Sequence, residues 1–284
     1  MKLGVFDSGL GGLTVVRRLR AVLPDADVVY YADQRNVPYG DRSDDDLRRL
    51  LAHNVEYLAR HEVDAIVVGC NTSCAIASRY GWPAVTVPIF DLIAATAEGI
   101  AAQGFRRVGV VATTATAKAG AYGVAIRARS ARAEVREVAA PALVPLVESG
   151  VVDGPPATQA VARACAPLAG AVDAVVLGCT HYPLLRASFA GVFGDGVAIV
   201  DPAELQADEV ARWARGPRRS GSGTTRFVTS GDPLPFRAAI ERFMGPLGPS
   251  DAVASDHAEQ LEEDDDAGRT ERAARDDLKH RVRL

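Results

Sequence analysis

Two cysteines hold matching places in a segment that occurs twice in the chain. Val63-Asp64-Ala65-Ile66-Val67-Val68-Gly69-Cys70-Asn71-Thr72 corresponds to Val172-Asp173-Ala174-Val175-Val176-Leu177-Gly178-Cys179-Thr180-His181; six of the ten positions are identical and the copies lie 109 residues apart. Each copy runs from an apolar stretch through Gly to Cys and on to hydrogen-bonding residues: Asn71 and Thr72 in one, Thr180 and His181 in the other. A free thiol has a pKa of about 8.5 and its thiolate is the reactive form. A strand end that leads into a helix N-terminus favours that thiolate. Two thiols facing one cleft suit the inversion of a carbon that bears a hydrogen: one removes the proton, the other delivers one to the opposite face, and the roles exchange with each product. Such a site stabilises a carbanion without an electron sink, so it calls for a closed, water-poor cleft with preorganised donors. The plain alternative is a pair of buried structural cysteines, but their matched placement favours the functional reading. His181 is a candidate proton partner for Cys179, against the alternative of a structural histidine.

Asp7-Ser8-Gly9-Leu10-Gly11-Gly12-Leu13-Thr14 follows the first apolar run and opens a helical stretch. Bare amides at a helix N-terminus suit an anion. The spacing is not the G-x-G-x-x-G of a dinucleotide fold, and the Asp7 carboxylate would repel a phosphate. Asp7 and Ser8 holding an ammonium, with nearby amides holding a carboxylate, fits better, while Ser8 also reads as an ordinary helix cap. Val37-Pro38-Tyr39-Gly40 is a turn in which Tyr39 is a candidate cleft wall. A metal centre would draw on Cys70, Cys74, Cys179 and His181, but these lack paired ligand spacing. Pyridoxal chemistry requires a Schiff-base lysine, and the chain has only Lys2, Lys118 and Lys279. A cysteine hydrolase would leave the second thiol unexplained. No metal and no cofactor are expected.

Parallel strands must position these groups. Leu3 to Phe6, Val28 to Tyr31, Ala65 to Val68, Ala84 to Val87, Arg107 to Val111 and Ala174 to Leu177 read as strands buried on both faces. Gly12 to Leu23, Asp44 to Arg60 and Leu92 to Gln103 read as helices, with Ser43 a cap before three acids. The alternation predicts a parallel α/β fold whose ligand sits at the carboxyl ends of the strands. With 284 residues, 48% of them hydrophobic, the chain can bury one large core or two smaller ones. No apolar run reaches the roughly 18 residues of a membrane helix, and the N-terminus does not read as an export signal, so the four cysteines are expected to be reduced thiols. Residues 251–284 hold 11 acids and 6 bases; this leaves the first 250 with 25 and 26, a balanced body that calls for neither nucleic acid nor membrane. From Gly248 the chain reads as a solvated, mostly disordered tail, with five consecutive acids at Glu262 to Asp266 and a frayed helix near Arg272 to Leu278.

Four motifs taken together resemble the glutamate racemase family: Phe6 to Val15, Pro38 to Gly40, Cys70 to Thr72 and Gly178 to Leu185. Thr229-Ser230-Gly231-Asp232-Pro233 fits as well, and the likeness spans roughly residues 3–247. Related aspartate racemases share the two-cysteine plan with looser motifs. The resemblance implies two pseudo-symmetric three-layer α/β domains with mainly parallel sheets facing one cleft. The first comprises residues 1–92 plus 206–247, the second 93–205, and the charged tail 248–284. It implies cofactor-independent interconversion of L- and D-glutamate in the cytoplasm, supplying D-glutamate for peptidoglycan, by a homodimer that binds neither membrane nor nucleic acid. The rival reading is a binding protein, as some racemases of the family bind and inhibit DNA gyrase, a role this sequence neither supports nor excludes; aspartate racemase is the alternative within enzymes. Loss of either cysteine would separate binding from racemisation.

By motif, Cys70 and Cys179 are the acid/base pair and Asp7 and His181 assist proton transfer. Ser8, Pro38, Tyr39, Gly40, Asn71, Thr72 and Thr180 line the substrate site together with Thr113, Thr114 and Thr116, and Glu148 belongs to the same cleft. Ala119 stands where the family often has Ser.

Overall fold

Strands form where apolar runs are bounded by turns, and the structure sorts them into two sheets. The structure, a computed structural model, describes residues 1–216 and 221–256. Strands β1 (Lys2–Asp7), β2 (Asp27–Ala32), β3 (Ala65–Val68), β4 (Ile89–Asp91), β9 (Thr225–Thr229) and β10 (Ala252–Ser255) form one sheet in the order β10-β9-β2-β1-β3-β4. Strands β5 (Arg107–Ala112), β6 (Glu134–Ala139), β7 (Ala174–Gly178) and β8 (Ala198–Val200) form the other in the order β6-β5-β7-β8. Every pairing is parallel. Helices on both sides of the sheets complete the α/β layers: α1 (Leu13–Val22), α2 (Asp44–Ala59), α3 (Asn71–Tyr80), α4 (Leu92–Gln103), α5 (Thr114–Ala119), α6 (Ala121–Arg129), α7 (Leu143–Glu148), α8 (Gly154–Cys165), α9 (Arg186–Phe193), α10 (Pro202–Ala214) and α11 (Pro233–Met244).

The sequence repeat has a structural counterpart. The order β2-β1-β3-β4 recurs as β6-β5-β7-β8, and Cys70 and Cys179 each follow the third strand of their set. Local chemistry fixes the helix starts. Ser43 Oγ accepts from Asp46 N at 3.2 Å with three acids in the first turn of α2. Asp91, Asp201 and Asp232 cap α4, α10 and α11 by accepting from backbone amides. Such caps are each worth about 1 kcal/mol.

Two expectations need correction. The strand read at Ala84 to Val87 lies instead at Ile89–Asp91. Pro83 and Pro88 lack donors for a ladder there, and pairing begins only where Ile66 N donates to Pro88 O at 2.9 Å. The solvated tail from Gly248 fails for residues 248–256, because β10 extends the first sheet beside β9. The Asp251 carboxylate is 4% exposed, pairs with the Arg20 guanidinium and accepts from Thr225 N at 2.9 Å and Gly248 N at 3.0 Å. Tyr31 donates to Asp256 Oδ2 at 3.1 Å. An acid counted as surface charge is thus a buried partner at the sheet edge. The five-acid run and the helix expected near Arg272 lie outside the described residues.

A chain ending at Leu247 should melt below one ending at Asp256, since it loses β10 and the bonds of Asp251 and Asp256. A loss of about 2 kcal/mol lowers the midpoint by roughly 4–8 °C in a protein of this size. Calorimetry of the two truncations checks this, and equal midpoints would contradict the role given to residues 248–256.

Candidate active site

In an open parallel sheet the ligand crevice opens at the carboxyl ends of the strands, beside the first strand where the winding changes direction. That point lies between β1 and β3 in one sheet and between β5 and β7 in the other. The loops after these four strands carry Asp7-Ser8, Cys70-Asn71-Thr72, Thr113-Thr114 and Cys179-Thr180-His181, and all ten residues line one cleft. Pro38, Tyr39 and Gly40, from the segment after β2, line it too. The cleft holds about 580 Å³ of empty space, counting the part open to solvent.

The loop after β1 is organised by its own acid. Asp7, fully buried, accepts from Gly9 N at 3.1 Å and Gly12 N at 2.9 Å through Oδ2, and from Thr180 Oγ1 at 3.2 Å through Oδ1. Burial raises its pKa, opposed by the charge of His181 and by the loop amides. These two amides are therefore taken by Asp7 and are not free for a ligand anion. Ser8 does not cap α1, whose N-cap is Gly12. A Cβ on Gly11 would stand 2.4 Å from Thr180 Oγ1 and 2.7 Å from His181 Nδ1, and one on Gly12 would stand 2.4 Å from Asp7 Cβ. Only glycine lets the two loops approach this closely.

The two thiols sit in unequal surroundings. Cys70 occupies the N-cap position of α3. Burial pushes its thiol up to about 12, the Asp7 charge adds to this, and hydrogen bonds from Ser73 oppose it. Cys179 leads into a short 3-10 turn (Tyr182–Leu185) and not directly into a helix. Its Sγ lies 3.7 Å from His181 Nδ1, and His181 Nε2 lies 2.6 Å from Glu148 Oε1. Burial alone would lower the His181 pKa, but hydrogen bonds to Cys179 and Glu148 and their charges raise it well above the ordinary value. The imidazolium so favoured stands beside the Cys179 sulfur.

The remaining donors are neutral. Asn71 Oδ1 accepts from the Tyr122 hydroxyl at 2.5 Å, while its buried Nδ2 has no partner among the described residues. A buried donor left unpaired costs about 1–3 kcal/mol. Thr72 Oγ1 lies 3.1 Å from Thr113 Oγ1, across the two sets of loops. Among the described residues no lysine or arginine lines the cleft, so an anion there meets neutral donors, the positive end of α3 and the His181 imidazolium. Lys118 is exposed and Lys2 donates to His61 O. Among the described residues no group of three or more His, Cys, Asp or Glu could hold a metal ion.

Two expected substrate ligands lie behind the cleft wall. Thr116 is fully buried, with its hydroxyl 3.0 Å from that of Thr113 and 3.4 Å from that of Thr72. Glu148 supports the imidazole of His181 and does not line the cleft. Tyr39 contributes to the wall, but its hydroxyl is taken: it donates to Asp33 Oδ2 at 2.5 Å and accepts from Asn54 at 2.9 Å. Asp33 also accepts from Ser230 Oγ at 2.7 Å, and Thr229 Oγ1 donates to Gln34. The Thr229-Ser230-Gly231-Asp232-Pro233 motif thus braces the segment that carries Pro38 to Gly40. Val37, Asp41, Pro141, Val144 and Pro145 line the cleft without having been expected there. The repeat contained the signal for Pro141, because the loop after β6 is the counterpart of the loop after β2 that carries Pro38.

A sequence profile of the family described as Asp/Glu/hydantoin racemase matches residues 13–210. A glutamate racemase from Desulforudis audaxviator is 41% identical over 254 residues, covering 85% of this chain and 93% of that relative. The crystal structure of a glutamate racemase isoform from Bacillus anthracis superposes with a TM-score of 0.82 at 30% identity, over 89% of this chain and 96% of that one. That of Francisella tularensis, solved in complex with D-glutamate, superposes with a TM-score of 0.79 at 29% identity, over the same shares of 89% and 96%.

Glu148→Gln removes a charge that holds the proton on His181. The midpoint for His181 deprotonation should fall on the order of one pH unit or more, followed by NMR of the ring. An unchanged midpoint would mean that Glu148 does not set the state of the imidazole.

Proposed function

The chain belongs to the Asp/Glu/hydantoin racemase family, and on that premise we propose that it interconverts L- and D-glutamate with Cys70 and Cys179 as the two proton carriers. It is an isomerase, and its relatives at 35–41% identity are glutamate racemases, which favours glutamate over aspartate. The observation that carries the reading is the pair of cysteines at the ends of equivalent strands, both lining one cleft.

The chemistry balances without a further reactant. The thiolate on one side takes the Cα proton, and the electron pair of the broken C–H bond is left on Cα, conjugated with the α-carboxylate. The thiol on the other side delivers its proton to the opposite face, so thiol and thiolate exchange places. The surroundings of the pair support this division. Cys70 is held as a thiol by burial and by the nearby Asp7 charge, and Cys179 has an imidazolium at its sulfur. His181 is the proton partner on the Cys179 side and Asp7 the assisting group on the Cys70 side. Ser8, Gly40, Asn71, Thr72, Thr113, Thr114 and Thr180, with the wall of Pro38 and Tyr39, hold the ammonium and carboxylates. With no lysine or arginine lining the cleft among the described residues, binding rests on amides, hydroxyls, the α3 terminus and the His181 imidazolium.

Among the described residues no helix is long and apolar enough to cross a membrane. The same reading gives a cytoplasmic homodimer that supplies D-glutamate for peptidoglycan, with residues 1–92 plus 206–247 and residues 93–205 as the two lobes of the cleft.

Circular dichroism of L-glutamate and L-aspartate incubated with the purified protein tests the substrate, and the glutamate signal alone should decay to zero. Cys70→Ser and Cys179→Ser should each cost on the order of 10²–10⁴ in rate, with melting midpoints near that of the parent. Dialysis against a chelator should leave the rate unchanged. Faster decay of aspartate, a serine variant at full rate, or loss on chelation restored by zinc would each contradict the assignment.

A further inference from the structure

The orphaned donor on Asn71 has a cause outside the cleft. Asn71 is the first residue of α3, directly after Cys70, and its amide faces two ways. Its Oδ1 is occupied by the hydroxyl of Tyr122, on α6, which belongs to the other set of strands. Tyr122 is fully buried, and a buried tyrosine hydroxyl must find a partner. Burial, with the nearby negative groups adding to it, raises its pKa well above the ordinary value, so the hydroxyl stays protonated and acts as the donor. With Oδ1 taken, Nδ2 is the end of the amide left unpartnered, on a residue that lines the cleft.

We propose that Tyr122 is a positioning residue: its hydroxyl fixes the orientation of the Asn71 amide, so that Nδ2 is presented to a carboxylate of the bound substrate. Without that hydroxyl the amide is free to turn. A turned amide puts an oxygen where the carboxylate must lie, and two acceptors repel. The bond also joins the two halves of the fold, so a donor beside Cys70 is aimed by a residue from the half that carries Cys179. The inference rests on the reading of the cleft as a glutamate site.

Tyr122→Phe removes one oxygen and leaves the ring in place. It should raise KM for glutamate roughly tenfold with kcat within about threefold, the pattern of lost binding and not of lost chemistry. The decisive comparison repeats the change in an Asn71→Ala background, where KM is already raised and Tyr122→Phe should add less than about twofold. A tyrosine that merely supports packing would give the same factor in both backgrounds, and that result would overturn the proposal, as would an unchanged KM in the single variant. Calorimetric titration of L-glutamate into the same variants, each also carrying Cys70→Ser, reads the cycle without turnover. A parent protein that neither binds nor racemises glutamate would overturn the reading of the site and this inference with it. A parent that binds glutamate while the two changes act independently would overturn the role of Tyr122 alone.

Discussion

The Asp7 carboxylate lies fully buried and must find its hydrogen bonds inside the protein, because an unpaired charge there would be far costlier than the loop geometry that satisfies it. It finds them in two places: the amides of Gly9 and Gly12 in its own loop, and the hydroxyl of Thr180 from the second sheet. That one group therefore shapes the loop and ties the two strand sets together. Much of the neighbourhood follows from it. Gly11 and Gly12 can carry no side chain, because Thr180, His181 and Asp7 itself occupy the space. Tyr30 holds the loop from beneath by donating to Gly9 O at 2.6 Å. Thr180 cannot approach Asp7 without bringing Cys179 and His181 into the same cleft.

Duplication explains why two thiols line one cleft, and departures from duplication explain why their surroundings differ. Both follow the third strand of a 2-1-3-4 set. Cys70 begins a ten-residue helix, whereas Cys179 begins a short turn and relies on His181 and Glu148. A reversible two-base reaction needs one thiol and one thiolate in the resting cleft. The surroundings of the two thiols are unequal: burial and the Asp7 charge hold Cys70 as a thiol, while His181 stands at Cys179. With no lysine or arginine lining the cleft among the described residues, the developing charge is left to His181 and preorganised dipoles.

The features legible in the sequence were those encoded locally. Ala65 to Val68 and Ala174 to Leu177 announced themselves as continuous apolar runs ending in Gly-Cys, and they carried the repeat, the thiols and the switch-point loops. Strand β6, Glu-Val-Arg-Glu-Val-Ala, is half-exposed and charged, so its composition resembles surface helix more than buried strand. Strand β8 has only three residues, too few to show a period. Strand β10 is made by pairing with β9 and by the Arg20 and Tyr31 contacts, the last two from partners more than two hundred residues away that no local pattern reveals. The same holds in the site. Tyr122 reaches Asn71 across 51 residues and Ser230 reaches Asp33, the partner of Tyr39, across 197, and Glu148 and Thr116, placed in the cleft by motif, lie one layer behind it.

In the proposed reaction Cys70 and Cys179 work from opposite faces of one carbon. Racemisation of L-glutamate in heavy water, sampled before the reverse reaction matters, tests this most directly. The thiol that delivers the new proton has exchanged with solvent, so early D-glutamate should carry deuterium at Cα while the remaining L-glutamate stays largely protonated. Early D-glutamate that retains the original proton would mean that a single base serves both faces, and the pairing of Cys70 with Cys179 would be wrong.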